Sequence, residues 1–300
     1  MAFRYIVVNQ KAHLKLKNNN LVIAQENNQT SVPVEDILSL IIEDNSITLT
    51  SQLMRKLILS NATVYFCDDK HIPCGITMPF LAHGRQYKRL NQQIDISQPL
   101  KKRIWQQIIK QKIVNQAKCL KLCNISNYEG LLDLANRVES GDTTNVEGYA
   151  AHMYFPLLFG KSFNRDQINN INAALNYGYT IMRGVVARAI AGYGFIPCLG
   201  INHHNEYNNF NLADDLIEPF RPVIDLWVKN NIKEDTELSS DLKHQIVNIM
   251  NCNIKIDRKN FTISRAIEES VKSLVSVITE KSIQLLKVPE LINLVEHSYE

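Results

Sequence analysis

The chain has 300 residues, 45% hydrophobic and 21% charged. That is enough for one large core or two ordinary ones, and it excludes a disordered chain. No apolar run approaches the roughly 18 residues of a membrane span, and the start, MAFRYIVVNQKAHLKLK, is too polar for a signal peptide. The net charge of +3 conceals an asymmetry: residues 85–121 hold ten Lys or Arg and one acid, Asp95, a local +9 that leaves −6 elsewhere.

The first ~80 residues predict strands, because RYIVVN, HLKLK, LVIAQ, ILSLIIED, SITLT and TVYFC are short, β-branched, and alternating or fully apolar. NNN at 18–20 and EDN at 43–45 mark turns. One helix, SQLMRKLILSN, interrupts, with Ser51 placed to cap it. PCGITMPF reads as a last strand. Residues 81–99 are irregular and polar and read as a linker ending at Pro99. From residue 100 the periodicity is helical: Trp105, Ile108, Ile109, Ile113, Ala117 and Leu120 share one face. Arg103, Lys110, Lys118 and Lys121 fall opposite, within about 80°. Further helices are predicted at 144–159, 166–191, 212–230, 239–250 and 265–286, with Gly192 and Gly194 ending the second. IKIDRKNFTI, at 254–263, suits a hairpin turning at Arg258-Lys259-Asn260. The expected architecture is α+β: a small β-rich N-terminal domain over 1–80, then a larger all-helical domain over 100–300.

Six scattered cysteines without a CxxC predict no disulfide framework or zinc ribbon, and fit a reducing cytoplasm. Cys119 and Cys123, four apart on a helix, read as small buried apolar residues. No Gly-rich phosphate loop, HExxH or GxSxG is present. The basic segment suggests a polyanion partner, with Arg85, Lys88, Arg89, Lys101, Lys102, Arg103, Lys110, Lys118 and Lys121 as DNA-binding candidates; a solvated helix face gives the same run.

Acids concentrate in GINHHNEYNNFNLADDLIEPFRPVIDLW, among residues that belong in a core. Asn211 is placed to cap a helix. Asp214 and Asp215 then share its face with Glu218, at spacings of four and three. Pro219 biases Glu218 away from α geometry, and Pro219 with Pro222 suits the first turn of a second helix. Acids this dense repel one another unless Arg221 or a divalent cation offsets them. Glu147 opens another helix beside Ala150, Ala151 and Tyr154; Thr144-x-x-Glu147 also fits a capping box, in which the acid only satisfies a backbone N–H.

Three segments in order, NVEGYAAHMYFPLLFG, INAALNYGYTIMRGVVARAI and LGINHHNEYNNFNLADDLIEPFRPVID, resemble the CRISPR-associated integrase and endonuclease family. The NHHNxxNxFNLADD form is most similar to the variant of type II systems. The resemblance spans nearly the whole chain. It implies that Glu147, His203 and Glu218 ligate one catalytic Mg²⁺ or Mn²⁺ and carry the reaction, with Asp214 and Asp215 supporting them; His204 falls one place past the motif histidine. The implied reaction is DNA transesterification, in which the 3′-hydroxyl of a short duplex attacks the edge of a CRISPR repeat and a new spacer is inserted. Endonuclease activity could share the site. The implied partners are double-stranded DNA, a second copy of the chain through the β-rich domain, the small dimeric second Cas protein, and other type II adaptation proteins, all in the cytoplasm. A general metal-dependent nuclease, a transposon integrase and an inactive DNA-binding scaffold are the competing readings.

Overall fold

The computed structural model describes residues 3–26, 28–69, 71–77 and 83–297, which form two compact units, Met1–Gly84 and Arg85–Glu300. The first unit runs β1 (Arg4–Val8), β2 (His13–Lys17), β3 (Asn20–Ala24), β4 (Gln29–Pro33), β5 (Ile37–Ile42), β6 (Thr48–Leu49), α1 (Ser51–Leu59), β7 (Thr63–Cys67) and β8 (Pro73–Ile76). One sheet has the order β1-β5-β7-β8, parallel except for its last pair. The other is β4-β3-β2-β6, antiparallel except for β2 with β6. All of β5, ILSLII, is buried. A central parallel strand covered on both faces is continuously apolar rather than alternating. Leu53 and Leu57 of α1 join the same core as Leu14, Leu21, Leu40 and Val64.

Local chemistry moves some expected boundaries. Thr50, not Ser51, caps α1, its hydroxyl accepting the Leu53 N–H at 3.3 Å. β4, QTSVP, has three exposed polar residues and so carries no apolar alternation; pairing with β3 makes it a strand. The last strand expected over 73–80 occupies Pro73–Ile76, and 78–80 lie outside the described residues.

The second unit holds α2 (Gln86–Ile94), α3 (Gln98–Leu122), α4 (Glu129–Arg137), α5 (Val146–Phe159), α6 (Asn170–Gly192), α7 (Asn211–Ile217), α8 (Arg221–Asn231), α9 (Ser240–Asn248), β9 (Asn253–Ile256), β10 (Lys259–Thr262) and α10 (Ile263–Glu280). Much of the expected linker at 81–99 is therefore α2. Its anchor is polar: the Gln93 amide donates to the carbonyls of Ile196 and Leu199 at 2.9 and 2.8 Å and accepts the Ile196 N–H at 2.9 Å. Apolar periodicity cannot reveal a helix held this way. The region is also not wholly helical. β9 and β10 pair antiparallel about Asp257 and Arg258, both at positive φ (49° and 67°), as a two-residue hairpin turn requires. No helix among the described residues is long and apolar enough to cross a membrane.

α3 is the central element, packing against α4, α5, α8 and the turn between α7 and α8. Its six expected core residues, from Trp105 to Leu120, are all buried. Glu218–Phe220 forms one 3₁₀ turn between α7 and α8. Pro219 does not expel Glu218 from helical geometry (φ −51°, ψ −48°). At the start of this turn the missing proline N–H has no intrahelical partner to lose.

Behind that turn, α5, α6 and α8 converge on a buried acid. Asp225 accepts the Tyr154 hydroxyl at 2.9 Å and the Tyr179 hydroxyl on its other oxygen. Burial drives its carboxyl up to about 6, against the opposing hydrogen bonds of Tyr179 and Tyr154. A proton held more tightly in the folded state stabilises it fully below the ordinary carboxylate range, and that stabilisation is lost as pH rises through the folded value. From pH ~4.5 to ~7 this group should cost about 2 kcal/mol. Urea denaturation across that window should show the loss in the wild type and little of it in Asp225→Asn; an equal loss in both would refute the assignment.

Candidate active site

Glu147 sits in the first turn of α5, and the cap is not the one its sequence suggests. Asn145, at φ 54°, is the capping residue and accepts the Gly148 N–H at 3.3 Å. The Asp142 carboxylate accepts the N–H groups of Val146 and Glu147 at 2.9 and 3.0 Å. A Cβ on Gly148 would stand 2.6 Å from the Asn145 amide nitrogen, so any larger residue there would have to shift the capping side chain. The helix end is thus satisfied without Glu147, whose side chain accepts instead from Lys112 Nζ at 2.5 Å.

Lys112 comes from the middle of α3 and is shared. Its Nζ also lies 2.5 Å from Glu218 Oε2 in the turn after α7. Glu218 Oε1 accepts from Arg221 Nε at 2.9 Å. Although buried, Glu218 Oε2 takes no well-directed hydrogen bond; the ammonium beside it is an ion-pair partner lying off the bonding direction. Burial alone would raise the Glu218 carboxyl, but Arg221 and Lys112 overcome it and leave the value at about 2. Burial alone would lower the Lys112 amine, but Glu218 and Glu147 outweigh it and raise it. Both groups are therefore charged at neutral pH. Asn115, three residues along α3, fixes the same turn: its amide donates to the Pro219 carbonyl at 2.7 Å and to the Pro289 carbonyl at 2.9 Å.

His203 reaches the site from the loop before α7. The wholly buried Asp215 accepts the backbone N–H groups of Ile201, Asn202 and His203 at 2.5, 3.1 and 3.1 Å, and His203 Nδ1 at 2.8 Å. A Cβ on Gly200 would meet the His203 carbonyl at 2.2 Å, so the loop folds back through a residue that must lack one. Trp105 of α3 packs edge-on to the imidazole, centroids 5.6 Å apart. Asp215 thereby claims Nδ1 and leaves Nε2 for another partner, the arrangement by which carboxylates orient metal-binding histidines. The hydrogen bond to Asp215 favours the charged ring and raises its pKa over the opposing effect of burial. Asp214 turns elsewhere, toward Asn208 Nδ2 at 2.7 Å and Arg183 at 3.8 Å. Of the two supporting acids expected from sequence, Asp215 alone contacts His203.

Among the described residues, no three His, Cys, Asp or Glu side chains converge closely enough to take one ion as placed. What converges is Glu147 and Glu218 on one ammonium, with His203 close enough to influence Glu218 electrostatically. Two carboxylates sharing one ammonium, and an imidazole with Nε2 unclaimed, form a donor set that suits a hard divalent cation once that ammonium gives way.

The basic candidates divide. Arg85, Lys88, Lys102, Arg103, Lys110 and Lys121 are exposed. Arg89 bonds Gln92, and Lys118 pairs with Glu290. Lys101 lines a cleft of about 490 Å³ with His203, His204 and Asn205. A second pocket, of about 200 Å³, is lined by Arg165, Arg183 and Arg221 together with Asp214, the partner of Arg183. Lys112 was not among the candidates from sequence, yet it carried a signal: it follows Ile108 by four and Trp105 by seven, so it is a charge inside the apolar stripe of α3. Arg165 and Arg183 carried none.

In Asp215→Asn, the His203 imidazole should titrate at lower pH than in the wild type, read by NMR on the ring. The side chain would lose its charge and would present an amide to four donors, so a fall in stability of about 1–3 kcal/mol should accompany the shift. An unchanged His203 titration would exclude Asp215 as the group that holds the ring.

The family model described as CRISPR associated protein Cas1 matches residues 5–249. A protein named CRISPR-associated endonuclease Cas1, from Neisseria meningitidis serogroup C (strain 8013), is 40% identical over 304 residues, covering 100% of both chains. In fold, the chain is similar to a Cas1 protein from Thermotoga maritima, with a TM-score of 0.74 at 17% identity, covering 98% of this chain and 99% of that one. It is also similar to a casposase bound to integration product, with a TM-score of 0.69 at 23% identity, covering 94% and 92%. With the family model matched over most of the chain and a full-length relative at 40% identity, this chain belongs to the CRISPR-associated Cas1 family.

Proposed function

We propose that the chain is a divalent-metal-dependent DNA integrase that joins the 3′-hydroxyl ends of short duplexes to the edge of a CRISPR repeat. The observation that carries this reading is the drawing together of Glu147 and Glu218, from elements 71 residues apart in sequence, on one buried cation beside an oriented imidazole. Buried like charges are costly to assemble and are tolerated where a cation belongs.

Glu147, Glu218 and His203 Nε2 would hold Mg²⁺ or Mn²⁺. When bound, the ion would polarise the phosphoryl oxygen and steady the charge that builds as bonds exchange. The chain's own groups prepare the site. Asp215 and Trp105 hold the imidazole so that Nε2 is presented. Arg221 and Asn115 fix the turn that carries Glu218. Lys101 and the exposed lysines and arginines of α2 and α3 offer contacts to phosphates, which position DNA without reading bases. Arg165, Arg183 and Arg221 add a guanidinium pocket suited to a phosphodiester. In the joining step the incoming 3′-oxygen forms a bond to phosphorus, and the bond from phosphorus to the target strand's 3′-oxygen breaks. The incoming hydroxyl gives up its proton, and the departing 3′-oxygen gains one. One phosphodiester replaces another, so no nucleotide cofactor is needed. The chain works as a homodimer with the small dimeric second Cas protein, on prespacer and repeat DNA.

Strand transfer tests the reading. The purified protein, its small partner and Mn²⁺ are mixed with a duplex bearing free 3′-hydroxyls and a supercoiled plasmid carrying leader and repeat. Covalent joining at the repeat boundary is expected, with a loss of at least a hundredfold in Glu147→Ala and Glu218→Ala, the scale on which loss of a transition-state contact registers. Nicking without joining would favour a general nuclease. DNA binding with neither would indicate a scaffold.

A further inference from the structure

Metal sites assembled from acids face a problem before the metal arrives. Two carboxylates in a buried space repel, and the turn that carries one of them has no reason to stay closed. Here Lys112 Nζ lies 2.5 Å from an oxygen of each, reached from a third helix, with 11% of its side chain exposed. Arg221 holds the other oxygen of Glu218. The two acids are thus matched by two cations of the chain's own.

We propose that the Lys112 ammonium is a built-in placeholder for the divalent cation: it holds Glu147 and Glu218 together in the metal-free protein and leaves the space between them when the metal enters. This rests on the reading of Glu147 and Glu218 as ligands and adds a residue that their motif does not contain. A divalent ion and an ammonium cannot share the same two oxygens at contact distance, because like charges at that range repel strongly in a buried site. The entering metal therefore breaks two ion pairs and finds the lysine a new position. Lys112 in this account is a positioning residue. It preassembles the site and weakens the metal's apparent affinity by the same contacts.

Mn²⁺ binding by titration calorimetry and thermal unfolding, in full-length wild type, Lys112→Met and Glu147→Ala, separates the possibilities. Lys112→Met should melt lower than the wild type without metal, because the buried Glu218 and the partly buried Glu147 lose their shared counter-ion. It should also bind Mn²⁺ at least tenfold more tightly and show a larger rise in Tm on saturation. Unchanged or weaker Mn²⁺ binding in Lys112→Met would overturn the placeholder and leave the metal site intact. Mn²⁺ binding that survives Glu147→Ala would overturn the ligand assignment and the placeholder with it. If Lys112→Met does not fold, the wild type still decides the matter. Amine labelling of Lys112, read by mass spectrometry, should rise when Mn²⁺ is added to the wild type; unchanged or reduced labelling would reject displacement.

Discussion

The second unit is organised around one charge balance at a point where several helices meet. Lys112 on α3 joins Glu147 at the start of α5 to Glu218 in the turn before α8, and Arg221 completes the neutralisation from the first residue of α8. Each group alone would be a liability in a buried place. Together they tie together elements that lie far apart in the chain, with Lys112, Glu218 and Arg221 all charged at neutral pH. Asn115, one turn further along α3, secures the Pro219 carbonyl of the same turn. A single helix thereby supplies both the cation and the amide that close the junction.

His203 is held by a separate device. Asp215 gathers three backbone N–H groups and the ring into one carboxylate, so the loop is shaped by the same acid that orients the imidazole. Gly200 permits that turn because any side chain there would collide with the His203 carbonyl. The two halves differ in character. The acids rest on ion pairs that a cation can exchange, whereas the imidazole rests on a dense hydrogen-bond network that nothing needs to replace. This division suits a site whose acids must accept an ion and whose histidine must already be aimed.

Much of this was legible in the sequence. The apolar face of α3, the strands HLKLK and TVYFC, the break between α7 and α8 and the grouping of Glu218 with Arg221 all follow from periodicity and proline placement. The roles expected of Glu147, His203 and Glu218 are what the family resemblance implies; pattern alone leaves Glu147 between ligand and cap, and the caps made by Asn145 and Asp142, with its bond to Lys112, separate it from a capping role. What stayed hidden shares a physical cause. α2 is anchored by Gln93 through hydrogen bonds to a loop about a hundred residues away, and β4 is a strand only because β3 pairs with it. Lys112 looked like one more member of a basic run. Its place in an apolar stripe was the visible clue, but which acids it meets depends on tertiary packing.

The central claim is that Glu147, His203 and Glu218 form one metal centre at this junction. Anomalous diffraction from crystals grown with Mn²⁺ tests it most directly. The account predicts one strong peak within bonding distance of both glutamates and His203 Nε2, with Lys112 Nζ no longer between the acids. A peak elsewhere, with Lys112 still bridging Glu147 and Glu218, would contradict it.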